Sequence, residues 1–121
     1  MLNIIIGTNG IYDIICGISI LLLGNCRISR LHITMFTDNV SNIGNELWHR
    51  HLAYWILTYG CVRLMFIINN DNKLCAMTYL LEGISYILEI LKYKTIKKNG
   101  IFVGISSLCL FSLLLFKIKY K

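Results

Sequence analysis

The sequence predicts an all-α integral membrane protein, a single bundle of four transmembrane helices. Three observations predict it. The 121 residues are 56% hydrophobic and only 15% charged, where soluble domains average about 45–50% and about 25%. Mean hydropathy is +0.64, too apolar for a chain of this length to cover itself with polar surface. Finally, the apolar residues gather into four blocks of roughly the 20 residues that a helix needs to cross the hydrocarbon. Room remains for one domain, residues 1–121, and no second core.

The first span is expected over residues 2–23. It lacks a basic leading segment, holds Asp13 and has no small-x-small cleavage site, so it reads as a retained span and not a signal peptide. The long polar connection that follows contains RISRLHITMF, a stretch suited to an amphipathic helix on the membrane surface. It also contains the sequon Asn39-Val40-Ser41, a topology probe. The second span is expected over 47–68, headed by Trp48, His49, Arg50 and His51, an interfacial anchor of aromatic and basic side chains. A five-residue connection, NNDNK, leads to the third span at 74–91, and KYKTIKKNG leads to the fourth at 101–116. That last block has only about 16 apolar residues, so it is expected either to be short or to borrow flanking residues, Gly100 and Lys117, by snorkelling.

Charge and cysteine usage narrow the function classes. The formal net charge is +6, but the lysines stand beside apolar blocks: Lys92, Lys94, Lys97 and Lys98, then Lys117, Lys119 and Lys121. That placement fits headgroups and membrane orientation, not a nucleic-acid surface. The five cysteines are scattered without CxxC or metal-ligand spacing and read as buried free thiols. No nucleotide loop, nucleophile elbow or metalloprotease motif occurs, so no cofactor, metal or catalytic residue is assigned. The ending KIKYK has lysines at the third and fifth positions counted from its end, like a dilysine retrieval signal of endoplasmic-reticulum membrane proteins.

Arg63 is the anomaly, a cation inside the second span. A charge at mid-bilayer costs about 2.5–3.5 kcal/mol on insertion scales, so it is expected to face the bundle and find a partner. His51, Trp55, Tyr59 and Arg63 recur every four residues and share one helix face. In the third span Tyr79, Glu82, Tyr86, Glu89 and Tyr93 alternate at threes and fours, giving a second polar-aromatic stripe. The short connection makes these spans antiparallel neighbours. Counting from it, Arg63 and Glu82 fall at the same depth, so Glu82 is the expected partner in an intramembrane clamp, with Glu89 a turn or two further along. Gly60 and Gly83 flank the stripes and allow close helix approach. Asp13, a third acid within a span, is a candidate functional acid.

The pattern LAYWILTYGCVRLMFIINNDNK resembles a family of ergosterol-biosynthesis scaffold proteins of the sterol C-4 demethylation complex, the Erg28-like four-helix membrane proteins. The resemblance lies in Trp55, an arginine eight residues on at Arg63, and the Asn/Asp/Lys turn ending at Lys73. TYLLEGISYILEILKYKT is similar to the family's next helix at Thr78, Glu89 and Tyr93, while Ser85 stands where a histidine is common in the family. The resemblance implies a non-enzymatic scaffold of the endoplasmic reticulum. Its implied partners are membrane lipid and other membrane proteins: the C-4 methyl oxidase, the decarboxylating 3-hydroxysteroid dehydrogenase and the 3-keto reductase. On the residues alone, two other readings stand beside it. One is a small lipid- or quinone-handling transporter or enzyme using Glu82, Glu89 and the tyrosines. The other is a structural subunit of a larger membrane assembly.

Overall fold

The computed structural model describes residues 1–23, 26–35 and 45–120. The Asn39–Ser41 sequon and Lys121 of the lysine tail lie outside the described residues. The helices are α1 (Leu2–Leu23), α2 (Arg30–Thr34), α3 (Asn45–Asn69), α4 (Asn72–Leu88) and α5 (Lys98–Lys119), and α4 runs on into one π-helical turn, Glu89–Tyr93. Four segments of 22 residues are long and apolar enough to cross a membrane: Leu2–Leu23, Trp48–Asn69, Asn72–Tyr93 and Lys98–Lys119. At 1.5 Å per residue each spans about 33 Å, enough for a hydrocarbon core of about 30 Å. The chain is an integral membrane protein.

The fourth span borrows its flanks: Lys98, Gly100, Lys117 and Lys119 are helical, and long lysine stems cover apolar surface while their heads reach water. The connection between α3 and α4 shrinks to Asn70 and Asp71. Asn70 adopts φ 57°, a left-handed conformation that asparagine tolerates, and its N–H donates to the Phe66 carbonyl at 2.8 Å. Asp71 then caps α4, its Oδ1 accepting the Leu74 N–H at 3.1 Å.

α2 turns one side into the bundle and leaves Arg30 and Leu31 exposed. Its His32 and Ile33 are buried, and Met35 just beyond it accepts the Lys97 N–H at its carbonyl, 2.7 Å. The Tyr86 hydroxyl donates to Met35 Sδ at 3.0 Å. α2 and Met35 thus close one end of the bundle, Ile33 and Met35 packing into a core cluster with Cys16, Ile20, Leu52 and Ile56.

α3 packs chiefly along α1 and α4 along α5, while α3 and α4 touch only slightly. Glycines set this pairing. A Cβ added at Gly60 would lie 3.0 Å from the Gly10 carbonyl oxygen and 2.8 Å from Ile14 Cγ1. One added at Gly83 would lie 2.5 Å from Leu108 Cδ2 on α5. The two glycines therefore bring α3 onto α1 and α4 onto α5, and not the second and third spans onto each other.

The core divides in two. One cluster joins Cys16, Ile20, Ile33, Met35, Leu52, Ala53 and Ile56 at the α2 end. The other joins Ile6, Phe66, Cys75, Ala76, Tyr79 and Leu114 at the end holding the α3–α4 turn. Cys16 and Cys75 are buried as expected of free thiols, but Cys61 and Cys109 face outward, where a small apolar side chain meets lipid at little cost.

A candidate site at a buried charged layer

Between the two apolar clusters lies a polar layer centred on Arg63, 1% exposed. Its Nη1 donates to Asp13 Oδ2 at 2.5 Å and its Nη2 donates to Glu82 Oε2 at 2.5 Å. Glu82 Oε2 also accepts the Ser107 hydroxyl at 2.8 Å. The layer thus draws one side chain from each of the four long helices.

The helices aim these groups at one another. Measured from the observed helix ends, Asn69 and Asn72, the Glu82 backbone lies about 6 Å deeper than that of Arg63. Their depths are not equal. Side chains on a helix lean toward its N-terminus, so Arg63 leans away from the turn and Glu82 leans toward it. The long arginine stem spans what remains. Tyr79 and Tyr59 supply ring faces at 4.0 and 5.2 Å from the guanidinium carbon, a cation–π environment that suits a desolvated cation. Tyr79 is held in turn by Asn9, whose amide donates to its hydroxyl at 3.1 Å.

Glu89 is not part of the clamp. Seven residues past Glu82, it stands about 10 Å farther along the helix axis, in the π-helical turn, and its carboxylate accepts the Thr95 hydroxyl. The place given to Glu89 is taken by Asp13.

The remaining stripe residues separate by depth. Tyr59 and Tyr79 are buried against Arg63, whereas Trp55 and Tyr93 are exposed. Trp55 meets Tyr59 edge-on at 5.7 Å, His51 lies near Tyr54 at 6.2 Å, and Lys92 sits over the Tyr93 ring at 5.1 Å. Tyr86 is turned to Met35. The stripes are therefore not one continuous surface, because the helices carrying them diverge above the charged layer.

That divergence leaves a cavity of about 450 Å³. Asp13, Glu82 and Glu89 line it together with Tyr59, Tyr86 and His32, and Trp48, Leu52, Trp55, Ile56 and Ile96 supply apolar wall. His32 is 8% exposed, its ring lies 5.5 Å from that of Tyr12, and its Nδ1 has no hydrogen-bond partner among the described residues. Burial, with the Arg63 charge adding to it, pushes its pKa down to about 4, so the ring is neutral near pH 7.

Sequence reasoning missed Ser107, Asn9 and His32. Asn9 and Asp13, four residues apart on an apolar helix, share a face and signal a polar stripe in the first span. For Ser107 and His32 no local signal exists, since a serine in a span ordinarily bonds its own helix and a histidine in a loop has no periodicity.

No curated protein sequence and no solved structure matches this chain. A family model does, that of the Erg28 like proteins, over residues 11–115, from the middle of α1 to the last turns of α5. That reach takes in all four spans and every member of the charged layer, and the chain belongs to the Erg28-like family.

Proposed function

We propose that this protein is a non-enzymatic scaffold of an endoplasmic-reticulum membrane, docking other membrane proteins and specifically the sterol C-4 demethylation enzymes. The observation that carries the reading is the family match over residues 11–115. The distribution of polar groups supports it. Asp13, Arg63, Glu82 and Ser107 spend their hydrogen bonds on one another inside the bundle. The outer surface, including Phe102, Ile105, Leu113 and Phe116 of α5, is apolar and exposed. Such a face is suited to lateral contact with lipid and with partner helices, while the Arg63 layer acts as an internal lock that keeps the face in register.

Purification of the tagged protein from its native membranes in mild detergent tests this. The expected result is enrichment of the C-4 methyl oxidase, the decarboxylating 3-hydroxysteroid dehydrogenase and the 3-keto reductase over an unrelated four-span control. Recovery of the chain alone across several gentle detergents overturns it.

A further inference from the structure

We propose that the cavity between α2, α3 and α4 binds a lipid-sized apolar molecule ending in a hydrogen-bond donor, a hydroxyl or a protonated amine, through Asp13, Glu82 and His32. The cavity holds about 450 Å³, within the range of small-molecule sites, which pair a mostly apolar wall with a few convergent polar groups. Two tryptophans, Trp48 and Trp55, with Leu52, Ile56 and Ile96 form that wall and would enclose a hydrocarbon body.

The head group follows from the balance of donors and acceptors. Three carboxylates line the cavity against a single guanidinium behind it. Arg63 engages one oxygen of Asp13 and one of Glu82, and Thr95 engages one of Glu89. Arg63 Nε is a buried donor without a partner among the described residues, but the carboxylates outnumber the cation, and an anionic head such as a fatty acid carboxylate would add repulsion. His32 gives a second, independent pointer. It is a buried imidazole on the cavity wall whose Nδ1 is unpaired among the described residues, a cost of about 1–3 kcal/mol for a buried polar atom. A hydroxyl or amine placed there satisfies His32 on a wall that also carries the acids. The site is independent of the scaffold reading, since it needs no protein partner.

Binding is read by fluorescence on the purified chain in nanodiscs, because Trp48 and Trp55, the protein's two tryptophans, line the cavity. Three probes share one tail and differ in head: 12-bromododecanol, 12-bromododecylammonium and 12-bromododecanoate, whose bromine quenches indole emission. Saturable quenching by the alcohol or the ammonium, at least tenfold stronger than by the carboxylate, is the expected result. A preference for the alcohol assigns a neutral ligand, and a preference for the ammonium assigns a cationic one. Ser85→Phe, which fills the cavity, should abolish the saturable phase, and His32→Phe, which keeps the ring stack on Tyr12, should weaken it about tenfold. Equal quenching by all three heads overturns the proposal, as does saturable quenching unchanged in His32→Phe.

Discussion

A buried guanidinium held by two carboxylates on different helices is expensive to dismantle one piece at a time. Removing a single partner from a buried ionic cluster costs about 3–5 kcal/mol, because uncompensated charge stays behind, whereas replacing the whole cluster with apolar or neutral groups is often close to neutral. Arg63→Met is therefore expected to lower stability by about 3–5 kcal/mol, seen as a large fall in the thermal unfolding midpoint in detergent. The triple change Arg63→Met, Asp13→Asn, Glu82→Gln should recover most of that loss. The exchange Arg63→Glu with Glu82→Arg keeps the charge count and should rescue folding in part, while Arg63→Glu alone, putting three acids together, should not fold. Glu89→Gln, remote from Arg63, should change stability by no more than about 0.5 kcal/mol, leaving the midpoint near that of the parent. At this scale the sequence was half legible. The spacing of Tyr59 and Arg63 and of Tyr79 and Glu82 identified the groups that meet across α3 and α4. It could not reveal that Asp13 stands opposite them, because nothing in a sequence says how α1 is rotated about its axis.

For the helices, the decisive contacts are where backbones nearly touch. At Gly60 an added side chain would collide with Ile14 and approach the Gly10 carbonyl within 3.0 Å, and a carbonyl on a packed helix cannot move aside. Gly60→Val is expected to destabilise by about 1–3 kcal/mol, the usual cost of overpacking. Gly7 is the internal control, since an added Cβ there meets only Ile67 side-chain atoms at 3.5 and 3.6 Å. Gly7→Ala should be tolerated or slightly stabilising, alanine being the better helix former by about 1 kcal/mol. Thermal unfolding of both variants in the same detergent checks the pair. The existence of every long helix was readable from hydropathy, and the tight turn from its Asn/Asp run. The pairing was not. A glycine marks a place of close approach on its own helix without naming the helix that approaches, so Gly60 and Gly83 do not by themselves point to α1 and α5.

Taken whole, the molecule has two helix pairs, α1 with α3 and α4 with α5, standing side by side. The start of α1 and the close of α5 share one end of the bundle, where Lys117 Nζ donates to Asn3 Oδ1 at 3.0 Å and lies 5.2 Å from the Phe66 ring. Tags fused before Met1 and after Lys121 should accordingly behave alike under protease treatment of sealed native vesicles, both cleaved or both protected. Opposite behaviour would contradict four crossings. The family and the membrane bundle were visible in the residue pattern. The folding of α2 into the end of the bundle was not, because that depends on a partner surface from Ile20, Leu52 and Ile56 that exists only after the spans have assembled. The slight contact between α3 and α4 has a mechanical corollary. The two halves behave as leaves riveted at three heights, Lys117 to Asn3, Asn9 to Tyr79 and Arg63 to Glu82, so releasing the last loosens only the middle of the seam.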